Sequence, residues 1–372
     1  MGPTDIYRVK GVGVRDKSTH WVDSSRGDRD RKGRHPAGAA SGRVDSGRRG
    51  REAGGMPIQF ATIEAAAARL PLPPTPAWSY PVLDAFAGCE VVVKHENVQP
   101  TGAFKVRGGL TVAASLSDAE RVAGVVTAST GNHAQSIAYA ARRGGFRAVI
   151  VVPLSAPPGK VEAVRALGAQ VVVHGATMTE AGARARALAA EQGLRYVDPG
   201  NDPAVIAGHA TAYLELLRQR PDLEAIYVPV GSGTGAAGAC LVRDALAPGC
   251  RIVGVQSAAA PAAYASWRAG EVVDRPCETF ASGLATATGF EVPQGVLRAR
   301  LDDFVVVEDA AIEAAVRLMA THAHTLAEGA GAAALAGLLA DEARPAVCAI
   351  VCSGGNAGEH EFGVLGRGVH GR

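Results

Sequence analysis

Lys105 is the first residue that could do chemistry. It lies in KHENVQPTGAFKVRGGL (Lys94 to Leu110), in a polar, glycine-containing turn directly after an apolar strand. That strand is read as Phe86 to Lys94, with Val91, Val92 and Val93 as its β-branched core. A helix beginning near Phe104 then carries Lys105 in its first turn, where a surface cation gains nothing from the positive end of the helix dipole. Such a placement suits a covalent anchor better than a solvated surface charge.

Three more motifs stand where apolar runs end, the edge at which open α/β sheets bind ligands. In STGNHAQSIAYAARRGG, the junction Ser129, Thr130, Gly131, Asn132 and His133 offers free backbone N–H groups to a carboxylate. His133 reads as structural, with a base as the alternative. In VPVGSGTGAAG (Val228 to Gly238), Gly231, Gly233 and Gly235 alternate with the small Ser232 and Thr234 between a buried strand and an Ala-rich helix. Their amides can form an anion nest at the positive helix end, and phosphate is the anion that suits it. Gly233, Gly235 and Gly238 also fit G-x-G-x-x-G, but the strand about 20 residues on ends in Gln256 rather than an acid, which argues against a dinucleotide. In VCSGGNAG, Cys352 stands where a nucleophile elbow needs glycine, so Ser353 reads as a hydrogen-bonding contact.

The elements that must position these residues alternate β-branched runs with Ala-rich helical stretches, the pattern of parallel α/β structure. The first series has strands at Val122 to Ser129, Ala148 to Leu154 and Gln170 to Gly175, then RYVDP, with a helix over Asn132 to Arg143. A second series runs through Ala225 to Val230, Arg251 to Ser257, Asp302 to Asp309 and Ala346 to Gly355. The later strands are nearly continuous apolar runs, as expected where helices cover both sheet faces. Two α/β domains follow.

Composition narrows the function. The 372 residues are 47% hydrophobic and 20% charged, with no apolar run approaching the ~18 residues of a membrane span, so a cytoplasmic protein is expected. Six cysteines, without CxxC spacing, suggest neither a zinc site nor a disulfide framework and read as buried thiols. Residues 1–55 hold 13 Lys and Arg against 7 acids, leaving 25 basic and 29 acidic residues in the rest, so the folded body is mildly acidic and unsuited to nucleic acid. Residues 24–55 have almost no large apolar side chain and read as a disordered leader or a mis-assigned start. Met56 opens MPIQFATIEAAAARL, which carries a Thr-x-Glu cap signal and the apolar spacing of a first helix. A polyanion-binding tail is the lesser alternative.

FKVRGG, STGNHAQ, GSGTG and CSGGN, in this order and at these intervals, resemble the motifs of fold-type II pyridoxal 5′-phosphate (PLP) enzymes, and the chain is similar to threonine/serine dehydratases over about residues 60–365. NDPAVIAGHATAYLEL and AEGAGAAALAGLL resemble further stretches of that family. The resemblance implies a tryptophan-synthase-β-like fold with PLP between two open parallel-sheet domains. The larger would comprise about 56–120 and 205–365, with the smaller, about 121–204, inserted and a tail at 366–372. It implies that Lys105 forms the Schiff base with PLP, that Phe104 packs beside the ring and that Asn132 bonds its phenolic oxygen. Gly231, Ser232, Gly233, Thr234 and Gly235 would cradle the phosphate, and Ser353 would face the pyridine nitrogen as a neutral partner that favours elimination over transamination. The substrate carboxylate would sit on the amides of Ser129 to His133. Lys105 would take the α-proton, the cofactor phosphate would assist loss of the β-hydroxyl, and threonine or serine would yield a 2-oxo acid and ammonia. Ser282 and Gly283 in FASGLATATG are further candidates for substrate contact, with a plain helix-start role as the alternative.

Departures from the family's pattern limit the reading. Threonine at position 130 stands where racemases carry a serine as the acid of the second face, which argues against racemisation. Gln256 and Ala262 occupy positions where a divalent-cation site would need carboxylates, so no metal is expected. The chain ends soon after the last strand, so a short form that lacks the regulatory domain of isoleucine-inhibited relatives, unregulated or otherwise regulated, is expected. The rivals are a cysteine-synthase-like β-replacement enzyme, disfavoured by Gly131, Asn132, His133, Ala134 and Gln135 in place of a Thr-rich asparagine loop, and a non-catalytic PLP-binding protein. Family habit implies a homo-oligomer acting on a small amino acid.

Overall fold

A computed structural model describes residues 58–367. The expectations for the leader 1–55 and for most of the tail 366–372 lie outside the described residues.

The β-branched runs build two sheets. The strands in chain order are β1 (Ala77–Ser79), β2 (Glu90–His95), β3 (Val125–Ala128), β4 (Ala148–Val152), β5 (Gln170–Val173), β6 (Arg195–Tyr196), β7 (Ala225–Pro229), β8 (Arg251–Ser257), β9 (Asp303–Val307) and β10 (Val347–Cys352). One sheet has six strands in the order β1-β2-β10-β7-β8-β9, parallel throughout except where β1 pairs with β2. The other has four parallel strands, β5-β4-β3-β6. Its strands all fall between β2 and β7 in sequence, so a self-contained parallel layer interrupts the larger sheet. Val91, Val92 and Val93 of β2 and Ile150 and Val151 of β4 are fully buried, which is why these strands read as unbroken apolar runs.

Four readings of the sequence need correction. Phe86 and Ala87 belong to a helix, Pro81–Ala87, whose Leu83 and Ala87 bury at i, i+4 spacing; Gly88, at φ 76°, ends it before β2 begins at Glu90. Val122 and Ala123 likewise close a short helix, Asp118–Ala123, started by a capping box between Ser117 and Glu120. The first helix, Phe60–Arg69, begins before the Thr-x-Glu signal, with Gln59 at its N-cap, so Thr62 caps nothing. Of the six thiols, Cys277 is exposed and Cys89 half-buried.

Three helices fix the site from behind. The lysine helix, Lys105–Ser115, packs against helices Asn132–Gly144 and Pro203–Gln219. Its contact with Pro203–Gln219 is made at backbone distance. A Cβ on Gly108 would come 2.6 Å from His209 Nε2, and one on Gly208 would come 2.6 Å from Thr111 Oγ1. Helix Gly329–Ala340 is buried all round from Gly329 to Leu338 beside the six-stranded sheet, so its Ala and Gly content reflects close packing rather than amphipathicity. Among the described residues no helix is long and apolar enough to cross a membrane.

Candidate active site

The motifs follow the carboxyl ends of their strands and meet. Ser129 to His133 follow β3, Gly231 to Gly235 follow β7, Ser353 follows β10, and Lys105 is reached from β2 through a short turn. They line one cavity of about 460 Å³, together with Phe104, Ser282, Gly283 and Glu328. That volume suits a cofactor with a small substrate.

Lys105 opens its helix, behind Phe104 as N-cap. Its Nζ lies 5.2 Å from the Phe104 ring centroid and makes a long 3.4 Å contact with Thr234 Oγ1. No carboxylate pairs with it among the described residues. Burial without a counter-ion therefore draws the amine down from the ordinary lysine range to about 8.

The two amide cradles differ in how much donor capacity is free. In the loop after β7, the amides of Gly231 to Gly235 donate to no protein acceptor among the described residues, and Gly233, at φ 89°, turns the chain into helix Thr234–Leu246. A side chain on Gly231 would collide with the carbonyl of Gly283, so the loop must stay bare. After β3, the expectation of five free amides is corrected. Ser129 N–H extends the β-ladder to Val151 O (3.3 Å) and Gly131 N–H turns back to Ser129 Oγ (3.2 Å), which leaves Thr130, Asn132 and His133. These three stand at the N-terminus of helix Asn132–Gly144. The His133 ring points to Thr127 Oγ1 (3.1 Å), whose hydroxyl donates to Val197 O (2.7 Å), and burial holds its pKa down to about 3. Ser353 Oγ lines the cavity without a protein partner among the described residues. Ser282 Oγ accepts from Lys160 Nζ (2.9 Å) at the cavity wall.

The sequence singled out neither His209 nor Glu328 as a site residue. His209 Nδ1 contacts Thr234 Oγ1 at 3.0 Å, its ring lies 4.6 Å from that of Phe104, and its Nε2 is buried without a partner. Glu328 is 4% exposed, lines the cavity and accepts a 2.7 Å hydrogen bond from Asn132 Nδ2. Burial raises its carboxyl to about 7. A histidine amid small residues in a helix, and an acid opening an Ala-Gly helix, were the available signals.

Two residues beyond Lys105, the opposite face of the same helix buries a complete charge cluster. Arg107 donates to Glu96 (2.7 and 2.8 Å) and to Glu215 (2.7 Å from each of two nitrogens). Lys94 donates to Glu215 Oε2 at 3.0 Å and to Thr75 O at 2.9 Å. Burial alone would raise the Glu96 carboxyl, but the adjacent Arg107 and Lys94 hold it below its usual range.

Residues 68–354 match the model of a family described as pyridoxal-phosphate dependent enzymes. The chain belongs to this family. The L-threonine ammonia-lyase of Thermotoga maritima is 39% identical over 279 residues, 74% of this chain and 69% of that one. The biosynthetic L-threonine dehydratase of Escherichia coli is 39% identical over 249 residues, 67% of this chain; the matched segment spans 48% of that protein, and 52% of its Pasteurella multocida counterpart. Among solved structures, a threonine deaminase from T.th. superposes with a TM-score of 0.77 at 36% identity, covering 81% of this chain and 99% of that one. Maize serine racemase does so at 0.78 with 32% identity, covering 82% and 95%. The chain is thus a fold-type II PLP enzyme.

The residues of this pyridoxal-phosphate dependent enzyme fit its cofactor. An amine without a counter-ion suits an aldehyde, a cradle of bare amides at a helix start suits a phosphate, and an unpartnered hydroxyl suits a ring nitrogen. Gln256, by contrast, spends Oε1 on the amide of Tyr264 (2.9 Å), and Ala262 is buried. No group of three or more metal-ligating side chains is assembled among the described residues.

Proposed function

We propose that the protein is a threonine/serine ammonia-lyase, converting a β-hydroxy amino acid to a 2-oxo acid and ammonia. The observation that carries this reading is the counter-ion-free Lys105 amine facing one cavity with a carboxylate cradle and a phosphate cradle. The names of the sequence relatives support the lyase assignment over β-replacement, and their 39% identity, against 32% for maize serine racemase, supports it over racemisation. By family habit the enzyme is a cytoplasmic homo-oligomer.

In this reading Lys105 holds the aldehyde carbon of PLP, and the amides of Gly231, Ser232, Gly233, Thr234 and Gly235 hold its phosphate. Phe104 would pack on the ring, Asn132 would donate to the phenolic oxygen and Ser353 would meet the pyridine nitrogen. Bound there, PLP supplies an electron sink that makes the substrate Cα–H acidic and, because Ser353 is neutral, supports departure of the β-substituent over transamination. The amides of Thr130, Asn132 and His133 bind the substrate carboxylate and so set the Cα–H bond toward Lys105. The amine of Lys105 would be freed when the substrate's own amine replaces it at the aldehyde carbon, and, its proton affinity lowered by burial, it would then take the α-proton at Nζ. At the cavity wall Lys160 donates to Ser282 across the two sides of the site. His133, tied to Thr127 and uncharged, positions the helix start instead of moving a proton.

The deciding experiment is a panel of L-threonine, L-serine, O-acetylserine plus sulfide, and D- and L-serine interconversion. Release of 2-oxo acid from threonine or serine as the dominant activity is expected. Dominant thiol replacement or racemisation would overturn the assignment.

A further inference from the structure

Glu328 occupies the N-cap position of helix Gly329–Ala340, yet its side chain makes no cap bond there. The amide of Gly329 is satisfied instead by Glu361 Oε1, at 3.0 Å, from helix Glu359–Gly366. A capping carboxylate is the ordinary use of an acid at this position. Here a second acid takes over that duty, and Glu328 turns into the cavity.

Its target is Asn132, which is bonded at both ends of its amide. Asn132 Nδ2 donates to Glu328 Oε1 (2.7 Å), and Asn132 Oδ1 accepts from Asn356 Nδ2 (2.8 Å). Asn356 Nδ2 spends its other hydrogen on Thr101 O (2.8 Å) in the turn that leads to Lys105. An acceptor on one side and a donor on the other leave only one amide orientation that satisfies both, and it retains one unspent N–H on Asn132. We infer that Glu328 and Asn356 are positioning residues that clamp the Asn132 amide so that its free N–H is presented to the phenolic oxygen of the cofactor. This rests on the PLP reading of the site.

Ionised Glu328 is the stronger acceptor, so protonation loosens the clamp. Burial is the main cause that raises its carboxyl toward neutrality; Lys160 from the cavity mouth favours its charge and Glu361 from behind opposes it. Cys352 of β10 also lies within its field, and Lys105 and His133 line the same cavity.

The test uses full-length protein stripped of cofactor and titrated with PLP by absorbance, followed by pH profiles of the reconstituted enzymes. Glu328→Ala and Asn356→Ala are each expected to weaken PLP binding about tenfold, the value of one well-placed hydrogen bond, and to shift the visible absorbance maximum. Glu328→Gln keeps an acceptor, so its affinity should stay within about threefold of wild type. It should also lose the part of the acid-side fall in kcat/KM expected from Glu328 near pH 7, while the part expected from Lys105 near pH 8 remains. Wild-type affinity and spectrum in both alanine variants, or a pH profile in Glu328→Gln that keeps the component near pH 7, would overturn the inference. If wild type itself binds no PLP, it is the PLP reading that fails.

Discussion

Lys105 and Arg107 stand two residues apart on one helix, and burial opposes the charge of both, but only Arg107 has partners that offset it. Arg107 meets two carboxylates, with Lys94 completing a set of two cations and two anions, and these partners favour the charged forms of Arg107, Glu96 and Lys94 against the cost of burial. Lys105 meets none, and the groups around it all shift toward neutrality: the amine down to about 8, Glu328 up to about 7, His133 down to about 3. The lesson concerns partners more than depth. A paired interior charge is architecture, while an unpaired one is a reservoir of proton-transfer chemistry.

The contrast breaks most sharply at the lysine. If Lys105 is both anchor and base as proposed, Lys105→Ala should lower dehydration by at least about 10³-fold and abolish the visible cofactor band; the melting temperature should hold. Retained turnover would end the assignment. Arg107→Ala is expected to do the reverse damage, costing about 3–5 kcal/mol of unfolding free energy because Glu96 is left buried without its cation. Urea denaturation measures this, and a loss under about 1 kcal/mol would show that the cluster relaxes into water.

Glu328→Gln sharpens the comparison from the other side. The folded state holds a proton on Glu328 between its usual pKa of 4.5 and about 7, whereas the unfolded chain has released it. Stability contributed by this group therefore falls as pH rises through that window, to a deficit on the order of 3 kcal/mol above it. In cofactor-free protein, the glutamine variant should gain in melting temperature relative to wild type from pH 5 to pH 8. A constant difference would mean that Glu328 titrates normally. The smallest effect is expected from chelation. With Gln256 committed to Tyr264 and Ala262 in place of an anion, exhaustive EDTA treatment at constant monovalent salt should leave activity within error. Collapse reversed by Mg²⁺ would place cation ligands elsewhere.

What was legible in the sequence follows from range. Strand cores such as Arg251–Ser257 and the four glycine-bearing turns are local signals, and the structure brings those turns to one cavity. The helix over Pro81–Ala87 was hidden because Phe86 and Ala87 join the next apolar run without a break that pattern alone can place. Glu328 was opaque for a different reason. Beside Gly329 it reads as an N-cap, and only Glu361, 33 positions later and brought back by the fold, shows that the cap is already supplied. Arg107 and Glu96 look like ordinary surface charges until the chain folds Glu215 over them.

The paired glycines at 108 and 208 bring the lysine helix and helix Pro203–Gln219 into their closest contact one turn below the amine. A single methyl group added at Gly108 would press on His209, which touches Thr234 and Phe104 of the cavity, and so would shift the reactive nitrogen from behind; misplacement by about 1 Å is worth roughly 10² in rate. Reactivity in this enzyme can thus be adjusted from residues that no substrate ever meets.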